Sequence, residues 1–322
     1  MDKRALIAMS GGVDSAVAAF LTQQEGYSCV GATMRLLETE SGDTSDARAV
    51  AQRLGMDFHE LNMTQQFRQA VMEDFVRCYE AGLTPNPCIQ CNKHIKFSFL
   101  MDQALALGCE LLVTGHYAQI RKDEATGRYL LFKAVDEAKD QSYFLAGLNQ
   151  HQLSRVHFPL GSLTKNQARE IAETQGLVTA RKKDSQDICF VPDGDYVAFM
   201  KRYTGKEYPP GAFLDTAGNV VGTHCGAVNY TLGQRKGLGI AMGQPVYVCA
   251  KDMQANTVTV GPNDALFHST LLAKDWFFFP FETLKEPMEV EAKTRSRMAQ
   301  QPATVYPETN GFCRVVFHQP QR

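Results

Sequence analysis

The stretch SGGVDS, residues 10–15, places two hydroxyls, two glycines and one carboxylate between an apolar run and a helical pattern. Glycine lets the backbone approach a ligand closely and adopt positive φ, and the amide groups at the start of a helix attract anions. The stretch is neither a phosphate loop ending in GKS or GKT nor a GxGxxG turn. It predicts an anion-binding loop after the first strand; the alternative is a tight turn in which Asp14 or Ser15 caps the helix.

Two cysteines, Cys88 and Cys91, form a C-x-x-C pair within TPNPCIQCNKHIKF, residues 84–97, just ahead of a predicted helix. Three basic side chains follow the pair closely: Lys93, His94 and Lys96. A helix N-terminus and nearby cations stabilise a thiolate, so we expect a lowered pKa and a reactive sulfur. The alternatives are half of a zinc site and two buried thiols; one C-x-x-C without a second pair is a weak zinc pattern.

A third candidate, Cys189, lies in the apolar part of DSQDICFV, residues 184–191. Considered alone, it is predicted to be a core cysteine, because thiols are among the most buried side chains. The chain has nine cysteines, an odd number, spread over 322 residues, which does not indicate a disulfide framework. Each cysteine therefore needs its own explanation.

Strand and helix patterns alternate around these residues. The predicted strands are residues 4–9, 27–34, 57–63 and 110–118, and the predicted helices are residues 15–25, 45–55, 65–82 and 95–108. This alternation predicts βαβ units and a parallel sheet, whose ligands bind at the carboxyl ends of the strands. After residue 205 the sequence is rich in glycine, valine, threonine and turn pairs, which predicts β structure. We predict an α/β fold: a Rossmann-like domain at 1–205, a small β-rich domain at 206–268 and a β-barrel-like domain at 269–322.

Length and composition set broad limits on the class of protein. A chain of 322 residues favours more than one domain. The content of 44% hydrophobic and 21% charged residues, with a net charge of -2, is ordinary for a globular protein and argues neither for nor against nucleic acid. No apolar run approaches the length of about 18 residues that spans a membrane, and MDKRALIAMSGG does not resemble a signal peptide. We expect a cytoplasmic protein with no membrane partner.

Five motifs occur in an order that resembles one enzyme family. They are SGGVDS, TPNP with Cys91, TGHYA at 114–118, KDQSYFL at 139–145 and DSQDICFV at 184–191. The order resembles tRNA-specific 2-thiouridylases of the MnmA type, in the ATP pyrophosphatase (PP-loop) superfamily, and the match runs from about residue 5 to residue 317. The resemblance implies that ATP adenylates the 2-oxo group of the wobble uridine of tRNA and that sulfur then displaces AMP.

The resemblance also implies a role for individual residues. Asp14 would help to hold Mg²⁺; Cys189 would carry a persulfide, and Cys91 would attack it, which releases sulfur and leaves a Cys91–Cys189 disulfide. ATP would contact Ala8, Met9, Ser10, Gly11, Gly12, Val13, Asp14, Ser15, Met34 and Gly115. The target base would lie near Asn86, Pro87 and Cys88, and the tRNA would contact His116, Lys139, Asp140, Gln141, Arg295 and Ser296. Without the resemblance, His116 would be interpreted as a satisfied histidine at a strand end.

The chain departs from the family pattern at two places that bear on these roles. Many relatives have aspartate where Cys88 stands, so Cys88, Cys91 and Cys189 are candidate ligands of an iron–sulfur cluster. We favour the alternative in which Cys88 is a spare thiol or fills space beside the base, and we expect no structural metal. Family members usually continue beyond the final VVFHQPQR, so we expect a shortened last barrel.

The implied partners are tRNA with a modifiable wobble uridine and an upstream protein that donates persulfide sulfur, and we expect a monomer. Two alternatives stay open. The first is an amide-forming ligase of the same superfamily, against which the paired Cys91 and Cys189 argue, since such a ligase needs no redox thiols. The second is a non-catalytic tRNA-binding protein, which tRNA-dependent release of pyrophosphate would exclude.

Overall fold

The computed structural model describes residues 3–38, 44–177 and 188–322, so residues 184–187 of the DSQDICFV motif lie outside the described residues. The described chain forms two compact units. The first contains residues 3–38, 44–71, 88–177 and 277–283, and the second contains residues 72–87, 188–276 and 284–322. The division into three domains at residues 205 and 268 stays a prediction.

The first unit is built on a parallel sheet. Its strands are β1 (Arg4–Ala8), β2 (Ser28–Arg35), β3 (Asp57–Asn62), β4 (Leu111–Val113), β5 (Ala118–Lys122), β6 (Tyr129–Lys133) and β7 (Val156–His157). Five of them form a parallel sheet in the order β3-β2-β1-β4-β7, and β5 and β6 form a separate antiparallel hairpin. Ala5, Leu6 and Ile7 of the central β1 are fully buried, as a parallel strand covered on both faces requires.

Helices occur in both units. The α-helices are α1 (Val13–Gln24), α2 (Ser45–Arg53), α3 (Thr64–Phe67), α4 (Glu73–Glu80), α5 (Pro87–Gln90), α6 (Leu100–Ala106), α7 (Ser142–Leu145), α8 (Gln150–Leu153), α9 (Lys165–Thr174) and α10 (Tyr196–Thr204). Of these, α4 and α10 belong to the second unit. Other helical segments are the π-helical Arg68–Met72 and Cys91–Phe99 and the 3₁₀ segments Pro159–Ser162, Ala227–Asn229, Asn263–Leu266 and Thr309–Gly311. Val17 of α1, Val50 of α2 and Ala168 of α9 are buried in one apolar cluster with Ile7. These three helices therefore pack on the sheet.

The predicted alternation of strands and helices is confirmed, with three differences. The predicted helix at 65–82 consists of α3, a π-helical segment and α4, and the helical region predicted at 95–108 already begins with the π-helical Cys91–Phe99. The strand predicted at 110–118 is wrong in its middle, because residues 114–117 leave the sheet between β4 and β5. Gly115 there lies against the backbone of Asp14, and a Cβ on it would be 2.7 Å from the Asp14 carbonyl carbon.

The second unit is mainly antiparallel β structure. Its strands are β8 (Gly211–Leu214), β9 (Val220–His224), β10 (Tyr247–Asp252), β11 (Thr257–Gly261), β12 (His268–Lys274), β13 (Met288–Ala292), β14 (Gln301–Pro307) and β15 (Phe312–Gln321). One sheet has the order β10-β11-β8-β9, with β11 and β8 parallel, and the other has the order β12-β15-β14-β13. The predicted β structure after residue 205 is confirmed, and the residues predicted as a shortened barrel form a four-stranded antiparallel sheet. Within the described ranges, no helix is long and apolar enough to cross a membrane.

Candidate active site

The SGGVDS loop connects β1 to α1 at the carboxyl end of the central strand. Gly11 has a φ of +68°, a left-handed conformation that favours glycine. The N-cap residue of α1 is Gly12, which has no side chain to cap the helix. Among the described residues, the first amide groups of α1 therefore keep their capacity to bind an anion. The Ser15 hydroxyl donates to the Gly12 carbonyl at 3.0 Å and accepts from the Ser10 amide at 3.3 Å. These bonds fix the loop without occupying the helix N-terminus as a cap would.

In the part of the chain that the structure describes, Asp14 contacts two side chains from distant parts of the first unit. The Lys165 Nζ lies 2.8 Å from each of its carboxylate oxygens, and the Tyr117 hydroxyl donates to Oδ1 at 3.0 Å. The Lys165 side chain is only 8% exposed, whereas that of Asp14 is 31% exposed. The carboxylate is therefore neutralised by a buried lysine and remains within reach of solvent.

Neither Lys165 nor Tyr117 is among the site residues predicted from the sequence. Lys165 is the first residue of α9 and stands 151 residues from Asp14 along the chain. A lysine in the first turn faces the positive end of the helix dipole, and a lysine is almost never buried unless it is paired. Thr164 caps α9 in a capping box with Gln167. In the sequence, a lysine that directly follows a capping threonine indicates that Lys165 has an anionic partner.

The residues predicted to bind ATP lie at the carboxyl ends of the parallel strands. Residues 8–15 are continuous there, and Gly115 touches the backbone of Asp14 from the adjacent strand connection. Met34 is half-buried near the carboxyl end of β2. β2 is held to the start of the SGGVDS loop by the Met9 amide, which donates to the Ala32 carbonyl at 2.7 Å. The arrangement matches a ligand at the carboxyl ends of parallel strands.

Lys139, Asp140 and Gln141 directly precede α7, and hydrogen bonds within the first unit involve the side chains of Asp140 and Gln141. Asp140 accepts from the Ser142 hydroxyl at 2.7 Å and from the Ser142 amide at 3.3 Å. The Gln141 Oε1 accepts from the Tyr117 amide at 2.9 Å, and the Gln141 amide donates to the Tyr117 carbonyl at 2.8 Å. Asp140 and Gln141 thus shape the segment, and the contact of all three residues with tRNA stays a prediction.

His116 is buried between aromatic rings. Its ring centroid lies 5.7 Å from that of Phe97 and 5.6 Å from that of Phe158, and its Nδ1 shares a hydrogen bond of 2.6 Å with the Thr114 hydroxyl. Burial lowers the pKa of His116 well below its ordinary value, and the Lys96 charge lowers it further, so the ring is neutral. This position fits the alternative interpretation of a satisfied histidine and gives no support to a direct tRNA contact.

Cys91 is the first residue of the π-helical segment Cys91–Phe99 and is 9% exposed. π-helical turns are rare and occur frequently at functional sites. The next residue, Asn92, is also buried, and its Nδ2 donates to the Phe144 carbonyl at 3.1 Å. Asn92 therefore ties the helix that carries Cys91 to α7 and to the segment of Lys139.

The expected lowering of the thiol pKa values is wrong. Burial raises the pKa of the Cys91 thiol above its ordinary value, and the Lys96 charge offsets only part of that rise. Desolvation likewise raises the pKa of the Cys88 thiol against the effect of Lys96, although Cys88 as a whole residue is exposed. Loss of water around a sulfur disfavours the thiolate more strongly than these cations favour it. Both sulfurs are therefore mainly protonated at neutral pH.

Asn86 and Pro87 are the remaining residues predicted to lie near the target base. Pro87 is buried and is the first residue of the short α5, a position where its missing amide costs no hydrogen bond. Asn86 is half-buried. Their contact with the base stays a prediction.

Cys189 is exposed, whereas its neighbour Phe190 is 6% exposed. The Phe190 ring lies 5.2 Å from that of Phe75 and 5.0 Å from that of Phe199, between centroids. The prediction of a core cysteine, made from Cys189 considered alone, is therefore wrong, because Phe190 is the residue that anchors this segment. Cys189 belongs to the second unit and Cys91 to the first, and the disulfide between them stays a prediction.

Arg295 and Ser296 lie in the turn that connects β13 to β14. The Met298 amide donates to the Arg295 carbonyl at 3.1 Å, and the Lys293 Nζ donates to the Ser296 carbonyl at 3.3 Å. Arg295 is exposed, so a cation is presented at the surface of the second unit. Its contact with tRNA stays a prediction.

The candidate metal ligands do not form a multidentate site in this structure. Within residues 3–38, 44–177 and 188–322, no group of three or more His, Cys, Asp and Glu side chains is arranged to hold a metal ion. The geometry therefore gives no support to a cluster at these cysteines.

Comparison with known proteins gives a consistent family. Residues 3–193 match the family model described as tRNA methyl transferase HUP domain, and residues 197–262 match the tRNA methyl transferase PRC-barrel domain. The tRNA-specific 2-thiouridylase MnmA of Clostridioides difficile (strain 630) is 45% identical over 333 residues, which cover 100% of this chain and 92% of that protein.

Two further relatives carry the same name. The protein of Heliobacterium modesticaldum is 46% identical over 335 residues, covering 100% of this chain and 87% of that protein. The protein of Acetivibrio thermocellus is 43% identical over 333 residues, covering 99% of this chain and 93% of that protein. With matches of this identity and extent along the whole chain, this protein belongs to the family of tRNA-specific 2-thiouridylases of the MnmA type.

Proposed function

We propose that this chain catalyses the ATP-dependent 2-thiolation of the wobble uridine of tRNA, with Asp14, Cys91 and Cys189 as its catalytic residues. The family is one of tRNA sulfurtransferases that use ATP, and tRNA is the substrate class of the enzyme. The observation that carries the assignment to this site is the SGGVDS loop, where an uncapped helix N-terminus stands beside a solvent-accessible carboxylate.

Adenylation is the first step. The 2-oxo oxygen of the uridine attacks the α-phosphorus of ATP, the bond to the bridging oxygen breaks, and pyrophosphate leaves. The amide groups at the start of α1 would hold the departing pyrophosphate. This step is needed because a carbonyl oxygen is a poor leaving group, whereas AMP attached to the same carbon is a good one.

Asp14 would hold Mg²⁺ together with phosphate oxygens of ATP. The donor set fits, because Mg²⁺ commonly takes one or two carboxylates and completes its shell with phosphates and water, and the Asp14 side chain is 31% exposed. When bound, the ion would neutralise charge that develops on the phosphates. Both Asp14 oxygens already face the Lys165 ammonium at 2.8 Å, so Asp14 must share or exchange this partner when ATP binds.

Sulfur transfer is the second step. An upstream donor protein would place a sulfur on Cys189 as a persulfide. The Cys91 thiolate attacks the inner sulfur of that persulfide, a Cys91–Cys189 disulfide forms, and the outer sulfur leaves as hydrosulfide. Hydrosulfide attacks C2 of the adenylated uridine and AMP leaves. An external thiol reductant supplies the two electrons that return both cysteines to thiols.

Cys91 must lose a proton before it can attack. Its raised pKa keeps most of the thiol protonated at neutral pH, and Lys96 is the charge that favours the thiolate. We propose that Cys88 is a spare thiol beside the base, and no step passes through an iron–sulfur cluster. The enzyme would work as a monomer in the cytoplasm, where tRNA and ATP are both present.

Two variants test whether Cys189 carries the persulfide and Cys91 attacks it. After incubation with a persulfide donor, Cys91→Ser should accumulate a protein persulfide, because sulfur is accepted on Cys189 and not released. Cys189→Ser should carry none at this site. Cys225→Ser, which replaces another exposed cysteine, is the matched control and should behave as wild type. Equal persulfide in Cys91→Ser and Cys189→Ser would reverse or remove the assignment.

A further inference from the structure

We propose that Tyr117 is a positioning residue through which tRNA tightens the binding of ATP and Mg²⁺ at Asp14. The tRNA would act on residues 136–141, which we name the coupling segment. This inference rests on the proposed function, because it takes ATP to bind at the SGGVDS loop and tRNA to touch the coupling segment. It adds that tRNA regulates the affinity of this site for ATP and Mg²⁺, which the chemistry alone does not require.

The first connection runs from the coupling segment through Tyr117. Gln141 brackets the Tyr117 backbone, since its side-chain oxygen accepts from the Tyr117 amide at 2.9 Å and its amide donates to the Tyr117 carbonyl at 2.8 Å. The Tyr117 hydroxyl donates to Asp14 Oδ1 at 3.0 Å. A displacement of Gln141 is therefore transmitted by one residue to the carboxylate.

The second connection runs from the same segment to the other partner of Asp14. Asp136 Oδ2 accepts from the backbone amide of Lys165 at 2.9 Å, and its Oδ1 accepts from the Ala138 amide at 3.2 Å. Asp136 thus fixes both the turn of the coupling segment and the first residue of α9. The Lys165 ammonium reaches Asp14 from that residue. Among the described residues, the Lys165 and Tyr117 groups that contact the carboxylate are therefore both held by the coupling segment.

Packing around these groups leaves little room for independent movement. Tyr117 is 2% exposed and Lys165 is 6% exposed. Gly115, two residues before Tyr117, is so close to the loop that a Cβ on it would lie 2.7 Å from the Asp14 carbonyl carbon and 2.8 Å from the Ser15 amide nitrogen. Because close-packed interiors transmit displacement, a shift of the coupling segment changes the geometry around Asp14.

The direction of the effect follows from the occupancy of the carboxylate. Both Asp14 oxygens face the Lys165 ammonium, and Oδ1 also accepts the Tyr117 hydroxyl. An incoming cation competes with these partners. Contact of tRNA with the coupling segment would loosen the hold of Lys165 and Tyr117 on Asp14, which lowers the cost of binding Mg²⁺ with ATP. Such linkage is reciprocal, so ATP with Mg²⁺ should raise the affinity for tRNA by the same factor.

Binding measurements test the coupling without chemistry. The probe is the α,β-methylene analogue of ATP with Mg²⁺, titrated calorimetrically into the full chain with and without a saturating unmodified tRNA transcript. For the wild type, tRNA should lower the Kd of the analogue by about fivefold or more, which is within the usual range of coupling between two sites. We define the coupling ratio as the Kd of the analogue without tRNA divided by its Kd with tRNA. In Tyr117→Phe, and independently in Asp136→Ala, this ratio should fall below about twofold, whatever the Kd without tRNA.

The second unit offers a matched control. There the Tyr208 hydroxyl donates to Glu80 Oε1 at 3.0 Å, and the Lys206 Nζ lies 2.8 Å from the same oxygen. Tyr208→Phe removes a tyrosine–carboxylate hydrogen bond of the same kind and should keep the wild-type ratio. A wild-type ratio in both Tyr117→Phe and Asp136→Ala would overturn the proposal.

Failure of the coupling differs visibly from failure of the proposed function. If the wild type binds both the analogue and tRNA, and tRNA leaves the Kd of the analogue unchanged, the coupling is refuted and the proposed function stands. If the wild type binds neither, the proposed function itself fails. Amide exchange of β1 shows whether each variant is folded, and if Tyr117→Phe does not fold, Asp136→Ala decides the outcome.

Discussion

The pair of Asp14 and Lys165 allows a quantitative prediction for Lys165→Met. Breaking a fully buried ion pair costs about 3–5 kcal/mol, because one charge is left without a partner. Here the side chain that remains, Asp14, is 31% exposed and can recover water, which reduces the cost. We expect Lys165→Met to lower the free energy of unfolding around the site by about 1–3 kcal/mol, the range for a lost hydrogen bond to a charged group.

Native-state amide exchange of β1 is the suitable assay, because Leu6 and Ile7 are fully buried beside the loop. Since about 1.4 kcal/mol corresponds to a factor of ten, exchange that requires opening of this region should be about 5- to 150-fold faster in Lys165→Met. The double variant Asp14→Asn/Lys165→Met should be less destabilised than the sum of its single variants, because neither charge remains without its partner.

Lys206→Met is the matched control, since Lys206 pairs with Glu80 in the second unit but its side chain is 58% exposed. Solvent screens such a pair, so exchange of amides in the neighbouring α10 should stay at the wild-type rate. Additive effects of the two single variants, or a change in β1 below about threefold in Lys165→Met, would refute the reasoning.

Three further predictions concern the chemistry. Asp14→Asn should abolish ATP–pyrophosphate exchange while tRNA binding is largely kept, because the magnesium-facing charge is lost; normal exchange in this variant would contradict the role. Lys96→Met should raise the pKa of Cys91 further, so less thiolate is present at each pH below the pKa. Sulfur release in single turnover should therefore slow at neutral pH, and its pH profile should move to higher pH. Lys93→Met is the control, and an unchanged profile in Lys96→Met would show that Lys96 does not act on Cys91. Cys88→Ala should keep full thiolation in metal-free buffer. If the metal-free wild type were inactive, and iron and sulfide restored its activity but not that of Cys88→Ala, the result would support an iron–sulfur cluster instead.

The fold and much of the loop could be predicted from the sequence because both depend on local patterns. Parallel strands are buried on both faces and read as short apolar runs, so β1 and β2 are recognisable. Glycines and a carboxylate after such a run indicate an anion site on their own. The break after β4 was not predictable in this way, because Gly115 leaves the sheet to pack on a loop that is about one hundred residues earlier in the chain.

The partners of the proposed catalytic residues depend on tertiary packing, and this is where prediction from the sequence failed. Lys165 is 151 residues from Asp14, and no periodicity in the chain connects them. The thiol pKa values were predicted in the wrong direction, because the sequence shows that Lys96 is close to Cys91 but does not show how completely Cys91 is buried. The apolar run around Cys189 predicts a buried thiol, whereas the structure buries the neighbouring Phe190 and leaves Cys189 exposed.

The most direct test of the central claim is mass spectrometry of the nucleosides of an unmodified tRNA, after incubation with this protein, ATP, Mg²⁺, a persulfide donor and a thiol reductant. We predict one 2-thiouridine at the wobble position, formed only when ATP and both cysteines are present and absent with Cys91→Ser or Cys189→Ser. A tRNA left without 2-thiouridine by the complete mixture, or thiolated equally by Cys91→Ser, would contradict the account.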